Sequence, residues 1–138
     1  MSILSNIKFI QMTANVATLL FALVIVLQIL LASGLLPISI AWGGRQSKLT
    51  LSLRIASLIA VVLLSMFIYV IRFRAGLVGT VPIPMFIKVF SWIITLFMAI
   101  NTLGNITSLS RSEKLIFTPI TAILTAACLI VSASKLNM

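Results

Sequence analysis

The run Leu19-Leu20-Phe21-Ala22-Leu23-Val24-Ile25-Val26-Leu27 decides how this chain is read. It is apolar on every side. A strand of a membrane barrel alternates polar and apolar residues over about ten positions. A helix on the surface of a soluble protein keeps one polar face. Neither pattern is present. A helix satisfies its backbone hydrogen bonds within the segment, so a run that is apolar all round reads as a membrane-crossing helix. Outward from it, the uncharged stretch extends over residues 9–44, between Lys8 and Arg45. Three more uncharged stretches follow, over 55–71, 89–110 and 115–134, bounded by Arg54 and Arg72, Lys88 and Arg111, and Lys114 and Lys135. A crossing of a ~30 Å hydrocarbon core takes about 20 mainly apolar residues. Each stretch accommodates one crossing, the second with its flanking arginines snorkelling to the interface. Pro37 and Gly43-Gly44 break the first stretch and leave no room for two crossings and a turn. The expected fold is all-α, an integral membrane bundle of four transmembrane helices at about 13–35, 49–73, 84–103 and 112–134. Residues 1–138 are read as a single transmembrane domain.

Composition agrees. Of 138 residues, 62% are hydrophobic and 8% charged, against roughly half and about 25% in a soluble domain. A soluble chain of this size leaves too much of itself exposed to hide so much apolar surface. Ten Lys plus Arg face one acid, Glu113. The basic residues punctuate apolar runs and do not gather into a nucleic-acid footprint, so no nucleic-acid partner is expected. With no His and one Cys, there is no material for His-ligated haem, His-ligated zinc, thiolate clusters or internal disulfides. No metal or cofactor is expected. Lys8 ahead of an apolar run imitates a signal peptide, with Ala32-Ser33-Gly34 as a cleavage site. The run from Val16 to Leu31 exceeds the usual apolar region of about 7–15 residues, so an uncleaved first helix is expected.

The connections are short. Leu36–Lys48 begins too apolar for a free loop and is expected at the lipid headgroups, with Trp42 as an interface anchor. Residues 74–83 hold Gly76, Gly79 and Pro82 and cannot continue a helix. Four crossings put both termini on the face of that turn, with Lys8, Arg72, Arg74, Lys88 and Lys135. The other face carries Arg45, Lys48, Arg54, Arg111 and Lys114. The count is balanced. The N-terminal amine and the Arg72/Arg74 pair place the termini in the cytoplasm.

Ionisable residues inside a membrane mark functional sites, yet every charge here falls near a helix end. Glu113 has two readings. Ser110-Arg111-Ser112-Glu113 fits a capping box, with Ser110 as N-cap. Alternatively, Glu113 pairs with Arg54, about one turn inside the second helix on the same membrane face. Asn101 and Asn105, four apart, share a helix face. Arg54, Asn101, Asn105 and Glu113 form the candidate binding cluster; the bland alternative is that the asparagines bond a neighbouring helix. Pro119 interrupts the fourth helix, and the Thr118 hydroxyl is placed to satisfy a freed carbonyl. Thr118, Ala122 and Ala126 make a small-residue stripe, with Thr121, Thr125 and Ser132 alongside, expected to pack on a helix of this chain or a partner. Cys128 is read as a small apolar residue.

The run Asn101-Thr102-Leu103-Gly104-Asn105, with Glu113, Thr118-Pro119, Ala41-Trp42-Gly43-Gly44 and Arg54, resembles a class of uncharacterised small four-helix integral membrane proteins of bacteria. That resemblance implies a multi-pass protein of the bacterial inner membrane and attaches no reaction to it. The architecture is also similar to the small multidrug resistance transporters. Their coupling depends on a glutamate inside the first helix, where this chain offers only Asn15 and Gln28, so proton-coupled antiport is not expected. A nucleophile–base pair is missing, and Glu113 alone is thin material for acid–base work. No catalytic residue is assigned. The function expected is that of a non-enzymatic membrane protein, a lipid or small-ligand binder or a subunit of a larger assembly, working with membrane lipid and as a homo-oligomer or with a membrane-protein partner. The alternative is an oligomeric transporter or channel without a membrane-embedded coupling carboxylate.

Overall fold

The computed structural model describes residues 6–41 and 48–136. Four helices follow in chain order: α1 Ile7–Ser33, α2 Leu51–Arg74, α3 Met85–Ile106 and α4 Arg111–Ser132, with a 3-10 turn at Ile38–Ile40 after α1. All four are long and apolar enough to cross a membrane. The 22 residues of α3 or α4 reach about 33 Å at 1.5 Å per residue. No strand occurs among the described residues. This is the four-helix bundle of a multi-pass membrane protein. Trp42 and Arg45 lie outside the described residues.

Capping residues set the helix ends. Asn6 accepts from the Phe9 N–H at 3.2 Å and starts α1 well before residue 13, where apolarity alone would place it. The extra turns, Ile7–Met12, carry Lys8 and Gln11, which a hydropathy argument leaves outside the helix. Gly34, at φ 84°, ends α1 and donates to the carbonyls of Leu30 and Leu31, a left-handed cap that glycine adopts without strain. Thr50 caps α2 through the Leu53 N–H at 3.2 Å. α3 runs on to Ile106, past the expected end at 103.

Neighbouring helices run antiparallel in a ring. The closest pairs are α1 with α2 and α3 with α4; α1–α4 and the sparser α2–α3 contact close it. In the half nearer the termini the core is packed by Ile10 and Ala14 of α1, Ile71 of α2, Ile87 and Ile94 of α3, and Cys128 and Val131 of α4. Outward positions are as apolar as inward ones: Leu19, Val62 and Leu96 are 71%, 69% and 62% exposed. In water that would be a large apolar patch; in a bilayer it faces lipid tails.

Polar rungs hold the helices in register. Between α3 and α4, Thr95 bonds Ser132 at 3.1 Å, Thr102 bonds Thr125 at 3.2 Å, and Asn105 donates to Thr121 at 3.1 Å. As one partner's number rises, the other's falls, which is the antiparallel register. The side of α4 that meets α3 is thus the Thr121, Thr125, Ser132 line. Thr118 is half-buried, and Ala122 and Ala126 of the neighbouring stripe face outward from the single chain. The Thr118 hydroxyl is buried and makes no hydrogen bond among the described residues, so it does not repair the gap left by Pro119. Arg72 joins α2 to α1, donating to Asn15 Oδ1 at 2.9 Å and Thr18 Oγ1 at 3.3 Å.

Arg74 is 4% exposed. Its guanidinium donates to the carbonyls of Leu136 at 2.9 Å, Ser134, and Ser132 at 3.5 Å. It closes the carboxyl end of α4, where unpaired carbonyls and the helix dipole favour a cation. Beyond α1, the chain folds back on the opposite end of the bundle. Ile38 and Ala41 are buried against Leu31, with Leu36, Leu49 and Leu53 around them.

Candidate functional site

A cavity of about 440 Å³ lies inside the half of the bundle away from the termini. All four helices line it: Val24 and Gln28 from α1, Ala60 to Phe67 from α2, Phe97 to Asn105 from α3, and Glu113 to Leu124 from α4, with Ala41 at its outer end. On α4 the lining positions extend from Glu113 to Leu124, about 16 Å at the helical rise. The space therefore reaches from one membrane face to near the bilayer middle. Its deep end meets an aromatic row across three helices. Phe21 and Phe67 stand edge to face at 6.0 Å, and Phe67 and Phe97 at 5.3 Å, spacings at which ring edges meet ring faces favourably.

The walls are apolar, and the polar groups gather towards the outer part. Three carboxamides line the cavity: Gln28, Asn101 and Asn105. Asn105 is buried and spends its Nδ2 on Thr121 at 3.1 Å. The Thr121 hydroxyl in turn donates to the Phe117 carbonyl at 2.8 Å. Gln28 Oε1 is buried and accepts no hydrogen bond among the described residues. A buried acceptor left unmade costs about 1–3 kcal/mol, which a donor from an occupant would recover.

Glu113 is 8% exposed and lines the same cavity. Its position follows from the local fold. Ser110 caps α4 and accepts the Glu113 N–H at 3.2 Å. The return half of the capping box runs through a third residue: the Ser110 N–H donates to Ser108 Oγ at 3.0 Å, and Ser108 donates to Glu113 Oε2. The carboxylate is thus tied to the first turn of α4, at the positive end of the helix dipole.

The structure brings Asn101, Asn105 and Glu113 to one cavity and leaves Arg54 outside it. Arg54 is exposed. Its Nη2 lies 4.0 Å from where a Cβ on Gly34 would stand, so it reaches over the end of α1. No hydrogen bond or ion pair joins it to Glu113 among the described residues. Sequence reasoning missed two participants. Gln28 was visible as an amide inside an apolar run, one helical turn from Val24. Ser108 was visible only as a serine two places before the cap.

Comparison with known proteins finds no matching family model, no matching curated protein and no matching solved structure. The cavity is a long apolar slot with hydrogen-bonding groups towards its mouth, in the size range of small-molecule sites, about 300–1,000 Å³.

Proposed function

We propose that this chain is a non-enzymatic membrane protein that binds a lipid-like small molecule between its helices. The observation that carries the proposal is the 440 Å³ cavity whose lining includes the Gln28 carboxamide, with a buried oxygen that accepts no hydrogen bond among the described residues. The unmet acceptor at Gln28 costs about 1–3 kcal/mol while it stays unpaired, so an occupant that donates to it stabilises the bundle. The half of the bundle nearer the termini is packed by Ile10, Ile71, Ile94 and Val131. This supports a binding site reached from one side over a path through the chain.

Photo-crosslinking in nanodiscs tests the reading. A dodecyl amphiphile with a mid-chain diazirine is expected to label Met98, Phe117 or Leu124, which are buried and line the cavity, and unlabelled amphiphile is expected to compete. Labelling confined to outward residues such as Leu19, Val62 and Leu96, without competition, would sink it.

A further inference from the structure

We infer that the ligand is a single-chain amphiphile of roughly a dozen carbons with an uncharged, hydrogen-donating head, a hydroxyl or primary amide, and that it enters sideways from the bilayer between α2 and α3. The inference rests on the binding role proposed above and adds the ligand class and the route.

The route follows from exposure around the cavity. Its lining residues on α1 and α4 are buried or half-buried. The exposed lining residues are Leu63, Phe97, Asn101 and Gly104, all on α2 and α3. These two helices are also the sparser adjacent pair of the ring. The mouth is therefore a lateral slit that faces lipid. Gly104 forms part of its edge. A Cβ added there would meet nothing within 4 Å, so the edge is open at the position without a side chain.

Chain length follows from the cavity's depth. Carbon–carbon bonds of about 1.5 Å at near-tetrahedral angles make about a dozen carbons match the ~16 Å lining on α4. One chain fits the slot.

Head chemistry follows from what a bilayer makes selective. Lipid tails are as apolar as the cavity wall, so moving a chain from one to the other gains little. Discrimination falls to the polar end. Gln28 Oε1 is a buried acceptor without a donor, and a hydroxyl or amide supplies one. The Asn101 side chain makes no hydrogen bond among the described residues, and a carboxamide both donates and accepts. A charged head would give up its hydration beside the buried Gln28 amide, a cost that one hydrogen bond to a neutral acceptor does not offset. A cationic head would approach a membrane end that carries exposed Lys48, Arg54, Arg111 and Lys114. An uncharged head avoids both.

The experiment compares C12 competitors against the diazirine probe in nanodiscs, at matched membrane concentration. Dodecanol and dodecanamide are expected to displace it at about fivefold lower concentration than dodecyl methyl ether, which accepts but does not donate; one ordinary hydrogen bond is worth about that factor. Dodecanoate and dodecyltrimethylammonium are expected to be weaker than the alcohol. Gly104→Leu should close the slit and lower Met98 labelling at least tenfold, whereas Leu103→Trp, on the exposed side of α3 and outside the lining, should leave it unchanged. The ligand class is overturned if a charged head or the ether competes as well as the alcohol. The route is overturned if Gly104→Leu, folded by circular dichroism, labels like the parent. If no competitor of any head displaces the probe, the binding role itself fails, which is a different result. The head-group ranking uses the unmodified chain, so it stands even if Gly104→Leu does not fold.

Discussion

Replacing Arg74 tests how the bundle holds its terminal face. The guanidinium reaches three carbonyls at and just beyond the end of α4, Leu136 at 2.9 Å, Ser134 at close range and Ser132 at a long 3.5 Å. Hydrogen bonds to a charged donor contribute about 1.5–3 kcal/mol each, so two of them set an upper figure of ~6 kcal/mol. Burial works against that. The Nε atom is buried with no partner, and the desolvation of a buried cation is recovered when the side chain becomes apolar. The released carbonyls of Ser134 and Leu136 lie beyond the helix, where water can reach them once the segment opens. The net expectation for Arg74→Met is a loss of about 2–3 kcal/mol. Arg74→Lys keeps a cation but lacks the planar fork, so about 1 kcal/mol is expected. Reversible unfolding in mixed dodecylmaltoside–SDS micelles, followed by circular dichroism, measures both. A local readout accompanies it: trypsin should cut after Lys135, already exposed, faster in the Met variant. If Arg74→Met unfolds within about 0.5 kcal/mol of the parent, the range of an ordinary surface substitution, and the C-terminal segment is cut no faster, the capping argument is wrong.

Gly79 sits at φ 85° with the Phe73 ring against the position of its missing Cβ, so Gly79→Ala should lose about 1–3 kcal/mol from left-handed strain and crowding, read as a lowered melting temperature. Ser110→Ala should cost about 1 kcal/mol as a lost N-cap. Ser108→Ala should cost a similar amount, and the double variant less than the sum, because both act in one network; full additivity would show that Ser108 does not relay the cap. Cysteines introduced at Thr80 and Leu109, both exposed, should label with a membrane-impermeant maleimide from opposite sides, while Cys128, 0% exposed, stays silent. Labelling from the same side would contradict four crossings.

The fold was legible in the sequence because charge is costly in hydrocarbon. The uncharged stretches located all four helices, and the Ser110–Glu113 spacing located a helix start. What apolarity could not locate was where helices continue into water. Asn6 starts α1 well before the hydrocarbon does, and α3 continues past residue 103 because nothing there stops it. The candidate site was legible in part for a similar reason. Asn101 and Asn105 are polar groups at a spacing that fixes their common face, so their convergence follows from helix geometry. Glu113 joins them because the cap holds it in the first turn of α4. Arg54 could not be placed by the same reasoning. A snorkelling arginine has a long stem and several outlets, and its direction depends on the loop over Gly34, which no periodicity encodes. Gln28 shows the opposite problem: its side is set by tertiary packing of an apolar run that has no polar face to orient it.

Why a cavity persists in a chain otherwise packed closely follows from side-chain size along the seam between α2 and α3. Near mid-membrane, Phe67 and Phe97 meet at 5.3 Å between ring centroids, and two rings edge to face hold their helices apart. Towards the outer face the same seam carries Ala60 and Gly104. In an interface free to close, small residues draw backbones together. Here the aromatic pair fixes the separation, and small side chains cannot fill it. On the other side of α3, the Thr102–Thr125 and Asn105–Thr121 bonds hold that helix to α4, so it cannot swing across to close the seam. The large residues and the polar rungs thus make the space, and the small residues keep it open to the bilayer. Gly104 is the position where this can be separated from stability. Filling it removes a helix-weakening glycine, worth up to about 1 kcal/mol relative to alanine, while it blocks the slit. A variant that melts no lower yet binds less is the outcome expected of a glycine retained for access to the cavity, since a glycine retained for packing would lose both together.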